Sequence, residues 1–563
     1  MRTVLALSLC CLFSFADTAI ISPHDIVRPE IAHSAMIAAS EPIAAEAGRA
    51  ILAEGGNAVD AAVTMAFTMA ATLPRAGNLG GGGFMVLRTP QGVVEVIDFR
   101  EMAPAAATRD MFLNEAGDAD SEKSRFSHLA VGVPGTVAGL ALALEHHGTK
   151  DLKRVLAPAI EAANGFDAPQ SLTEAITART DRLGANAAAA AVFLPQGKAP
   201  QPGSHFAQPD LARTLQQIAD GGAEAFYNGP FADAISKEMA ANGGLVTKAD
   251  MATYQAIVRE PIRGTYRGYD VYSMPPPSSG GVHIVQLLNI LSGYDLTAAG
   301  HNSAQSIHWL AESMKYAYAD RSKYLGDTDF VDVPIEQLTS DSYATAVRSG
   351  IAEQARPSEE IRPGQLLPPE SNETTHFSII DHHGFAVAVT YTLNFSFGSG
   401  IMVPGTGVLL NNEMDDFSAK AGVPNAYGLL GGEANAVEPG KRMLSSMSPT
   451  LLVKDGQVFL ATGSPGGSRI ITTVLQVILN LVDHGMNLQE AVNAPRVHHQ
   501  WLPDELRVES GISADTIRLL EARGHRVVEK TTMGAAASVL RSSQTGQLQG
   551  AADPRRDGVA VGL

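Results

Sequence analysis

A Thr-Thr-His sequence that begins at Thr374 places two hydroxyl groups at the start of a predicted strand. Residues 373–381 and 385–393 flank a His-His-Gly turn and are rich in β-branched residues, a pattern that predicts a hairpin of two antiparallel strands. Depending on the loop length, Thr374 then lies opposite either Thr392 or Tyr391. The first of these registers brings two threonine hydroxyls together at the open end of the hairpin.

The segment before Thr374 is suited to cleavage. Residues 356–373 are polar and rich in proline, and we do not expect them to fold by themselves. A threonine hydroxyl becomes a good nucleophile when a base takes its proton, and the α-amine of a chain that begins at this threonine titrates near pH ~8, which suits that role. The hypothesis requires a cut between Glu373 and Thr374, which attack of the hydroxyl on the preceding carbonyl would achieve without a protease. An ordinary hairpin with threonines chosen for β propensity is the alternative.

Charged residues follow two other predicted strands. Arg100 comes directly after the strand at residues 93–99, where its guanidinium could bind a carboxylate through paired hydrogen bonds or form a surface salt bridge. Glu413, Asp415 and Asp416 follow an apolar strand and could hold an ammonium group or a divalent cation. An exposed acidic turn is the alternative for this cluster.

Paired hydroxyls and paired glycines occupy two later turns. Ser445 and Ser446 precede a predicted strand at residues 450–453. Gly466 and Gly467 precede a segment with apolar residues at helical spacing. Backbone N–H groups at a helix N-terminus can bind a developing oxyanion or another anion, and without a lysine in the loop a carbonyl oxygen is favoured over a phosphate.

Two glycine-rich segments lead to different structural predictions. Residues 77–84 follow a predicted helix and precede a strand, the reverse of the order in dinucleotide-binding loops, so their glycines indicate close backbone approach near a site or a tight packing corner. Residues 419–439 are rich in Gly, Ala, Pro and Asn around the single Tyr427, which is typical of a mobile cover over a site or of a plain linker. Residues 134–343 predict a helical scaffold that carries no chemistry.

Composition narrows the class of protein. A net charge of -18 over 563 residues argues against nucleic acid or an anionic membrane as a partner. A positive start, a short apolar run and small residues predict a secretory signal at residues 1–16, so we expect export to the bacterial periplasm and no membrane span after signal removal. Both cysteines, Cys10 and Cys11, lie in this signal, so the mature chain would have neither a disulfide nor a thiolate nucleophile. The histidine pairs at 382–383 and 498–499 lack acidic companions at ligand spacing, and no metal is predicted.

Together these motifs closely resemble the γ-glutamyltransferases, members of the N-terminal-nucleophile hydrolase superfamily. The resemblance covers nearly the whole mature chain through GNLGGGGF, DFREMAP, YTLN, LLNNEMDDF, SSMSP and GSPGGSRI. It implies an α+β fold, a four-layer αββα sandwich built from two paired chains that one precursor makes by cutting itself. The large chain would comprise residues 17–373 and the small chain residues 374–563. No cofactor is implied.

The resemblance also implies a role for each site residue. Thr374 would be the nucleophile, with its own amine as base and Thr392 supporting its hydroxyl. Gly466 and Gly467 would form the oxyanion hole, and Tyr427 would belong to a lid. The remaining residues would bind the zwitterionic end of a γ-glutamyl donor, with its carboxylate at Arg100, Ser445 and Ser446, and its ammonium at Asn394, Glu413 and Asp416.

The implied reaction is a ping-pong transfer. The nucleophile attacks the γ-carbonyl of glutathione or a similar amide, cysteinylglycine leaves, and the ester passes to water or to an amino-acid or dipeptide amine. Bacterial members often carry Gln at the positions of Glu373 and Glu413 and Pro at the position of Met443. None of these departures removes a reacting group.

Two alternatives remain at this stage. A relative resembling the cephalosporin acylases would use the same nucleophile on a glutaryl group, which lacks the ammonium and has little use for Glu413 and Asp416. A secreted amino-acid or peptide binding protein without catalysis would use Arg100 and the acidic cluster as a clamp and would remain one chain.

Overall fold

The computed structural model describes residues 27–361, 374–422 and 431–563. The predicted signal at residues 1–16, Glu373 before the proposed cut and Tyr427 of the predicted lid lie outside these ranges. Among the described residues, no helix is both long and apolar enough to cross a membrane.

Two antiparallel sheets of seven strands each form the centre of the fold. The first sheet has the order β1 (Glu30–Ala32), β18 (Leu548–Ala552), β17 (Ala537–Arg541), β13 (Gln457–Thr462), β12 (Thr450–Lys454), β9 (Tyr269–Ser273) and β8 (Ile262–Tyr266). The second sheet has the order β19 (Val559–Gly562), β2 (Met36–Ala39), β10 (Thr375–Ile380), β11 (Ala386–Thr392), β3 (Gly82–Arg88), β4 (Val94–Phe99) and β7 (Ile257–Arg259). Smaller sheets are formed by β5 (Phe166–Asp167) with β6 (His205–Phe206), and by β14 (Val497–His498), β15 (Leu506–Val508) and β16 (Val527–Glu529).

Helices connect and cover the sheets. In the first part of the described chain they are α1 (Pro42–Ala53), α2 (Ala58–Thr72), α3 (Ser121–Phe126), α4 (Thr136–His147), α5 (Leu152–Asn164), α6 (Gln170–Thr177), α7 (Thr180–Ala185), α8 (Ala187–Phe193), α9 (Pro209–Tyr227), α10 (Pro230–Asn242) and α11 (Lys248–Thr253). They continue with α12 (Gly280–Leu291), α13 (Leu296–Ala299), α14 (Ala304–Tyr324), α15 (Ile335–Leu338), α16 (Asp341–Gly350), α17 (Arg469–Val482), α18 (Leu488–Asn493) and α19 (Ala514–Ala522).

The second sheet is buried on both faces. Side chains alternate along a strand, so Val387 and Val389 of β11 pack with α1 and α2, whereas Ala386 and Ala388 enter the core shared with the first sheet and with α12, α14 and α17. Helix α2 begins at a capping box in which Asn57 accepts hydrogen bonds from the first turn. All residues of α2 are buried, so it is a core helix.

The predicted hairpin is present, and its register is the first of the two alternatives. Thr375 pairs with Tyr391, so continuing the ladder by one residue places Thr374 opposite Thr392. The turn closes where the N–H of Asp381 donates to the carbonyl of Phe385 at 3.0 Å. Both threonines therefore lie at the open end of the hairpin, in the interior of the molecule.

The glycines at residues 80–83 mark close backbone approach, as predicted. A Cβ atom on Gly81 would lie 2.1 Å from the carbonyl oxygen of Thr392, and one on Gly83 would lie 2.4 Å from Cβ of Tyr391. Strand β3 can therefore run beside the end of β11 only because it begins with glycine.

The prediction of a helical scaffold at residues 134–343 is right only in part. Strands β8 and β9 from this region form one edge of the first sheet, and β7 forms an edge of the second. These strands have five residues or fewer, and β7 and β9 pair with strands that are distant in the chain, so their pattern in the sequence is weak.

Replacing Gly81 by alanine should destabilise the protein by about 1–3 kcal/mol, because the contacts that a new Cβ meets include a backbone oxygen that cannot move aside. Gly184→Ala in α7 is the matched control, since its nearest contact would be an ordinary 3.7 Å and alanine favours a helix. Thermal unfolding of both variants measures the difference, and equal melting temperatures would contradict the packing argument.

Candidate active site

One cavity brings together nine of the residues that the sequence singled out. It is lined by Arg100, Arg321, Thr374, Thr392, Asn394, Glu413, Asp416, Ser445, Ser446, Met447, Gly467, Ser468 and Ile470. Gly466 precedes the lining residue Gly467 in the chain but does not itself line the cavity. The assigned roles of these residues stay predictions, but their convergence on one place is a structural fact.

Hydrogen bonds that involve backbone atoms fix the positions of the two threonines. Thr374 is only 5% exposed, and its carbonyl oxygen accepts a hydrogen bond from Nη1 of Arg556 at 3.2 Å. The hydroxyl of Thr392 accepts from the N–H of Asn394 at 2.8 Å, and the carbonyl of Thr392 accepts from Nδ2 of Asn78 at 2.9 Å. Asn78, from the glycine-rich segment, thus fixes the strand end that faces Thr374.

Arg100 lies at the centre of a buried ion group. Its guanidinium donates to Glu413, to Oδ2 of Asp416 at 2.5 Å and to the carbonyl of Met443 at 3.2 Å. The side chain of Arg100 is completely buried, and that of Asp416 is 11% exposed. The alternatives of a surface salt bridge at Arg100 and of an exposed acidic turn are therefore wrong.

The carboxylates of the acidic turn point in different directions. Glu413–Asp416 forms a single 3-10 turn, in which Glu413 and Asp416 face Arg100. Asp415 instead lies against Arg125, with its Oδ1 at 3.3 Å from Nε, and accepts from the hydroxyl of Ser124. Only two of the three acidic residues in the predicted cluster line the cavity.

Burial controls the electrostatics of this group. It raises the pKa of Glu413 and of Asp416, and the positive charge of Arg100 opposes that rise. Burial alone would lower the pKa of Arg100, but the neighbouring carboxylates raise it above its ordinary value. Behind them, burial raises the pKa of Glu101 to about 8, and within the described residues neither oxygen of this carboxyl has a hydrogen-bond partner.

The paired serines are positioned by a loop that the sequence analysis passed over. The N–H of Ser445 donates to the carbonyl of Pro277 at 2.8 Å, and the carbonyl of Ser445 accepts from the N–H and the hydroxyl of Ser279, both at 2.9 Å. These bonds link the residues just before α12 to the serine pair, although more than 150 residues separate them in the chain.

Arg321 is a charged cavity residue that sequence reasoning missed. Its Nε donates to the hydroxyl of Ser279 at 2.9 Å, and its Nη2 donates to the hydroxyl of Ser446 at 3.2 Å. Burial lowers the pKa of Arg321 to about 10, so it stays protonated at neutral pH. Its spacing was a usable signal, because Arg321 lies seven residues after the buried Met314 and therefore on the apolar face of α14.

Gly466 and Gly467 precede helix α17, as the sequence predicted. Both have positive φ angles, 136° and 57°, which favour glycine. Within the described ranges, neither N–H group donates to a protein acceptor. Because Gly467 lines the cavity with Thr374, its N–H is available to a developing negative charge.

Comparison with known proteins agrees with this geometry. The family model described as Gamma-glutamyltranspeptidase matches residues 44–563. A protein of Escherichia coli (strain K12) named Glutathione hydrolase proenzyme is 55% identical over 534 residues, which are 94% of this chain and 92% of that protein.

Two solved structures are also similar. A cephalosporin acylase from Bacillus halodurans has a TM-score of 0.85 at 31% identity, covering 95% of this chain and 97% of its own. The γ-glutamyltranspeptidase of Helicobacter pylori has a TM-score of 0.57 at 44% identity, covering 58% of this chain and 94% of its own. With a family match over nearly the whole sequence, the chain belongs to the γ-glutamyltranspeptidase family.

Proposed function

We propose that this protein is an autoprocessed γ-glutamyltransferase and glutathione hydrolase with Thr374 as its nucleophile. The observation that carries the proposal is the shared cavity, in which Thr374 and Thr392 lie beside the buried group of Arg100, Glu413 and Asp416. A nucleophile next to adjacent positive and negative charges suits a substrate that is an amide at one end and a zwitterion at the other.

Processing is the first step of the proposal. The Thr374 hydroxyl attacks the carbonyl of Glu373, and the peptide C–N bond breaks to give an ester and the free α-amine of Thr374. Water then hydrolyses the ester, which releases the carboxylate of Glu373 and restores the Thr374 hydroxyl. Residues 17–373 and 374–563 then form the large and small chains of a four-layer αββα sandwich. Two findings support this: the E. coli relative is named a proenzyme, and the solved H. pylori chain matches little more than half of this one. We further propose that residues 1–16 direct export to the periplasm.

Donor binding uses the buried ion group. The α-carboxylate of the donor binds Arg100, Ser445 and Ser446, and its α-ammonium binds Asn394, Glu413 and Asp416. The resemblance assigned the two charges of the donor to separate sets of residues, and in the structure Arg100 of the first set contacts both acids of the second directly. This proximity suits the ligand, because an amino acid carries its ammonium and carboxylate on one carbon. Arg321 adds a second guanidinium beside Ser446.

Catalysis then proceeds through an ester. The α-amine of Thr374 takes the hydroxyl proton as the oxygen attacks the γ-carbonyl, and the N–H groups of Gly466 and Gly467 stabilise the oxyanion. The amine returns the proton to the leaving cysteinylglycine. Water or an acceptor amine completes the turnover, with Tyr427 in a lid over the ester.

Glutaryl acylase activity is the second candidate, because a cephalosporin acylase shares the fold over nearly its whole length. A glutaryl group has no ammonium, so its carboxylate would add a net negative charge to the site and provide no cation for Glu413 and Asp416. The two buried carboxylates therefore favour the γ-glutamyl donor.

We expect the purified wild-type protein to contain two chains, one beginning at Thr374, and Thr374→Ala to remain a single chain. N-terminal sequencing and intact mass provide the measurement. Thr375→Ser is the matched control and should be cut normally, because this hydroxyl contacts Ser40 at 2.7 Å and does not line the cavity. A folded wild-type protein that stays whole would exclude the free-amine mechanism.

Asp416→Asn should lower kcat/KM for a γ-glutamyl anilide by about 100-fold, because a buried charge loses its partner, while changing that for a glutaryl anilide only a few-fold. Asp415→Asn is the matched control, since Asp415 belongs to the same turn but does not line the cavity. Equal effects of Asp416→Asn on both substrates would argue against an ammonium site.

Acidification should reduce the preference of the wild type for γ-glutamyl over glutaryl anilide. The raised pKa of Asp416 means that its charge is lost, as the pH falls, at a higher pH than for an ordinary aspartate. Both substrates use the same α-amine, so its titration cancels in the ratio of their kcat/KM values. The ratio therefore reports the protonation of the Asp416 carboxylate. A ratio that is constant down to pH ~4 would contradict this assignment.

Arg321→Lys should raise the KM for the γ-glutamyl donor by about 10-fold or more with a smaller effect on kcat, because a lysine cannot reproduce the two hydrogen bonds that position Ser279 and Ser446. Lys323→Ala on the same helix is the control, since Lys323 is exposed. Steady-state kinetics measures KM and kcat for each variant. A loss confined to kcat would refute a role in donor binding.

A further inference from the structure

A second buried cluster of ligand-type side chains lies outside the cavity described above. His308 and Glu312 are on α14, and His525 follows α19. One ligand atom from each residue lies within 4.8 Å of the others. His308 and Glu312 are completely buried, and His525 is 5% exposed. None of the three lines the cavity of Thr374.

Helix geometry and hydrogen bonding aim these groups at one point. His308 and Glu312 are four residues apart and therefore share a face of α14. Nε2 of His308 donates to the carbonyl of Ala352 at 2.8 Å, which leaves Nδ1 as the lone-pair nitrogen. That Nδ1 lies 2.8 Å from Nε2 of His525. A ring N–H donated to a backbone carbonyl is the arrangement that orients metal-binding histidines.

Charged and polar groups surround the carboxylate of Glu312. Oε2 of Glu312 accepts from the N–H of Arg356 at 3.2 Å, and Oε1 lies 2.8 Å from Nζ of Lys315 without a hydrogen bond to any described residue. Asp504 also lies 3.7 Å from Lys315. Lys315 thus faces two carboxylates, and the guanidinium of Arg523 also acts on His308, so these four charges balance.

Burial disfavours the protonated form of both imidazoles. Burial lowers the pKa of His308, and burial with the charges of Lys315 and nearby histidines lowers the pKa of His525 to about 2. Neutral imidazoles are the form that binds metals. In the metal-free protein Nε2–H of His525 donates to His308, so metal binding would move that proton to Nδ1 of His525.

We propose that Nδ1 of His308, Nε2 of His525 and the carboxylate of Glu312 form a binding site for a divalent transition cation, with Zn²⁺ as the best fit. Two imidazoles and a carboxylate are an established Zn²⁺ ligand set. With Zn–N bonds of about 2.0–2.1 Å, a tetrahedral site needs the two nitrogens about 3.3 Å apart. The rings must therefore separate by about 0.5 Å from the hydrogen-bonded arrangement.

The position of the site gives it a structural role. His308 and Glu312 belong to the proposed large chain and His525 to the small chain, so a bound cation would join the two after the cut proposed above. The binding itself does not depend on that cut. Arg321 lies nine residues beyond Glu312 on α14, about 13 Å along the helix axis, so the cation would not touch the donor.

Titration of the untagged, chelator-treated protein with Zn²⁺ tests the proposal. We expect one Zn²⁺ per large and small chain, and a tetrahedral visible spectrum with Co²⁺ as the probe. His525→Asn should weaken Zn²⁺ affinity by about 100-fold or more, since even outer-shell changes weaken metal binding 10–100-fold. Glu312→Gln, which retains the side-chain volume, should weaken binding and alter the Co²⁺ spectrum.

His484→Asn is the matched control. His301 and His484 pack with ring centroids 5.1 Å apart at 71°, almost the same as the 5.1 Å and 69° of His308 and His525. Among the described residues the first pair has no third ligand within reach, so its removal should leave the Zn²⁺ stoichiometry unchanged. Absence of binding to the wild type, or identical binding by wild type, His525→Asn and Glu312→Gln, would overturn the proposal in favour of a simple histidine hydrogen bond.

Discussion

The buried guanidinium of Arg100 requires carboxylates to reach it, and much of the site is arranged around that requirement. An unpaired charge in such a position costs several kcal/mol, so the acidic turn must pack against the end of β4. Glu413 and Asp416 do so from 313 and 316 residues further along the chain. The same arginine donates to Met443, which sets the position of the serine pair that follows.

This ion group explains how a small zwitterion could be selected. The cavity and the layer behind it contain Arg100 and Arg321 against three carboxyl groups, Glu101, Glu413 and Asp416. A ligand that brings an ammonium and a carboxylate together leaves that balance unchanged. A ligand with only a carboxylate adds a buried negative charge without a partner. The discrimination between the two proposed acyl groups therefore rests on charge, while the nucleophile and the oxyanion donors would serve both.

The position of Thr374, the proposed nucleophile, depends on a different constraint, the close contact of backbones at the open end of the hairpin. Glycines 81 and 83 allow β3 to approach β11, and Asn78 then reaches the carbonyl of Thr392. Thr374 thereby faces a strand end that is fixed by hydrogen bonds and not by side-chain packing alone. Preorganisation of this kind reduces the motion needed when the hydroxyl attacks.

Local features of the chain could be predicted from the sequence because short-range physics determines them. The period-two pattern on both sides of a glycine turn located the hairpin and limited its register to two choices. Apolar spacing located α17, and the glycines located the close backbone contact and the start of α17. The resemblance of the motifs then identified nine cavity residues.

Features that depend on distant partners were decided only by the tertiary structure. Whether Arg100 and the acidic turn were buried or exposed could not be read locally, because each is buried by the other. The short strands β7 and β9 escaped prediction because β4 and β12, their partners, lie elsewhere in the chain, and among the described strands β8 pairs only with β9. Arg321 and the cluster of His308, Glu312 and His525 came together for the same reason. The sequence by itself indicated nine candidate residues of the site, and long-range packing determined that they meet and that Arg321 joins them, since contacts between distant residues leave no local pattern.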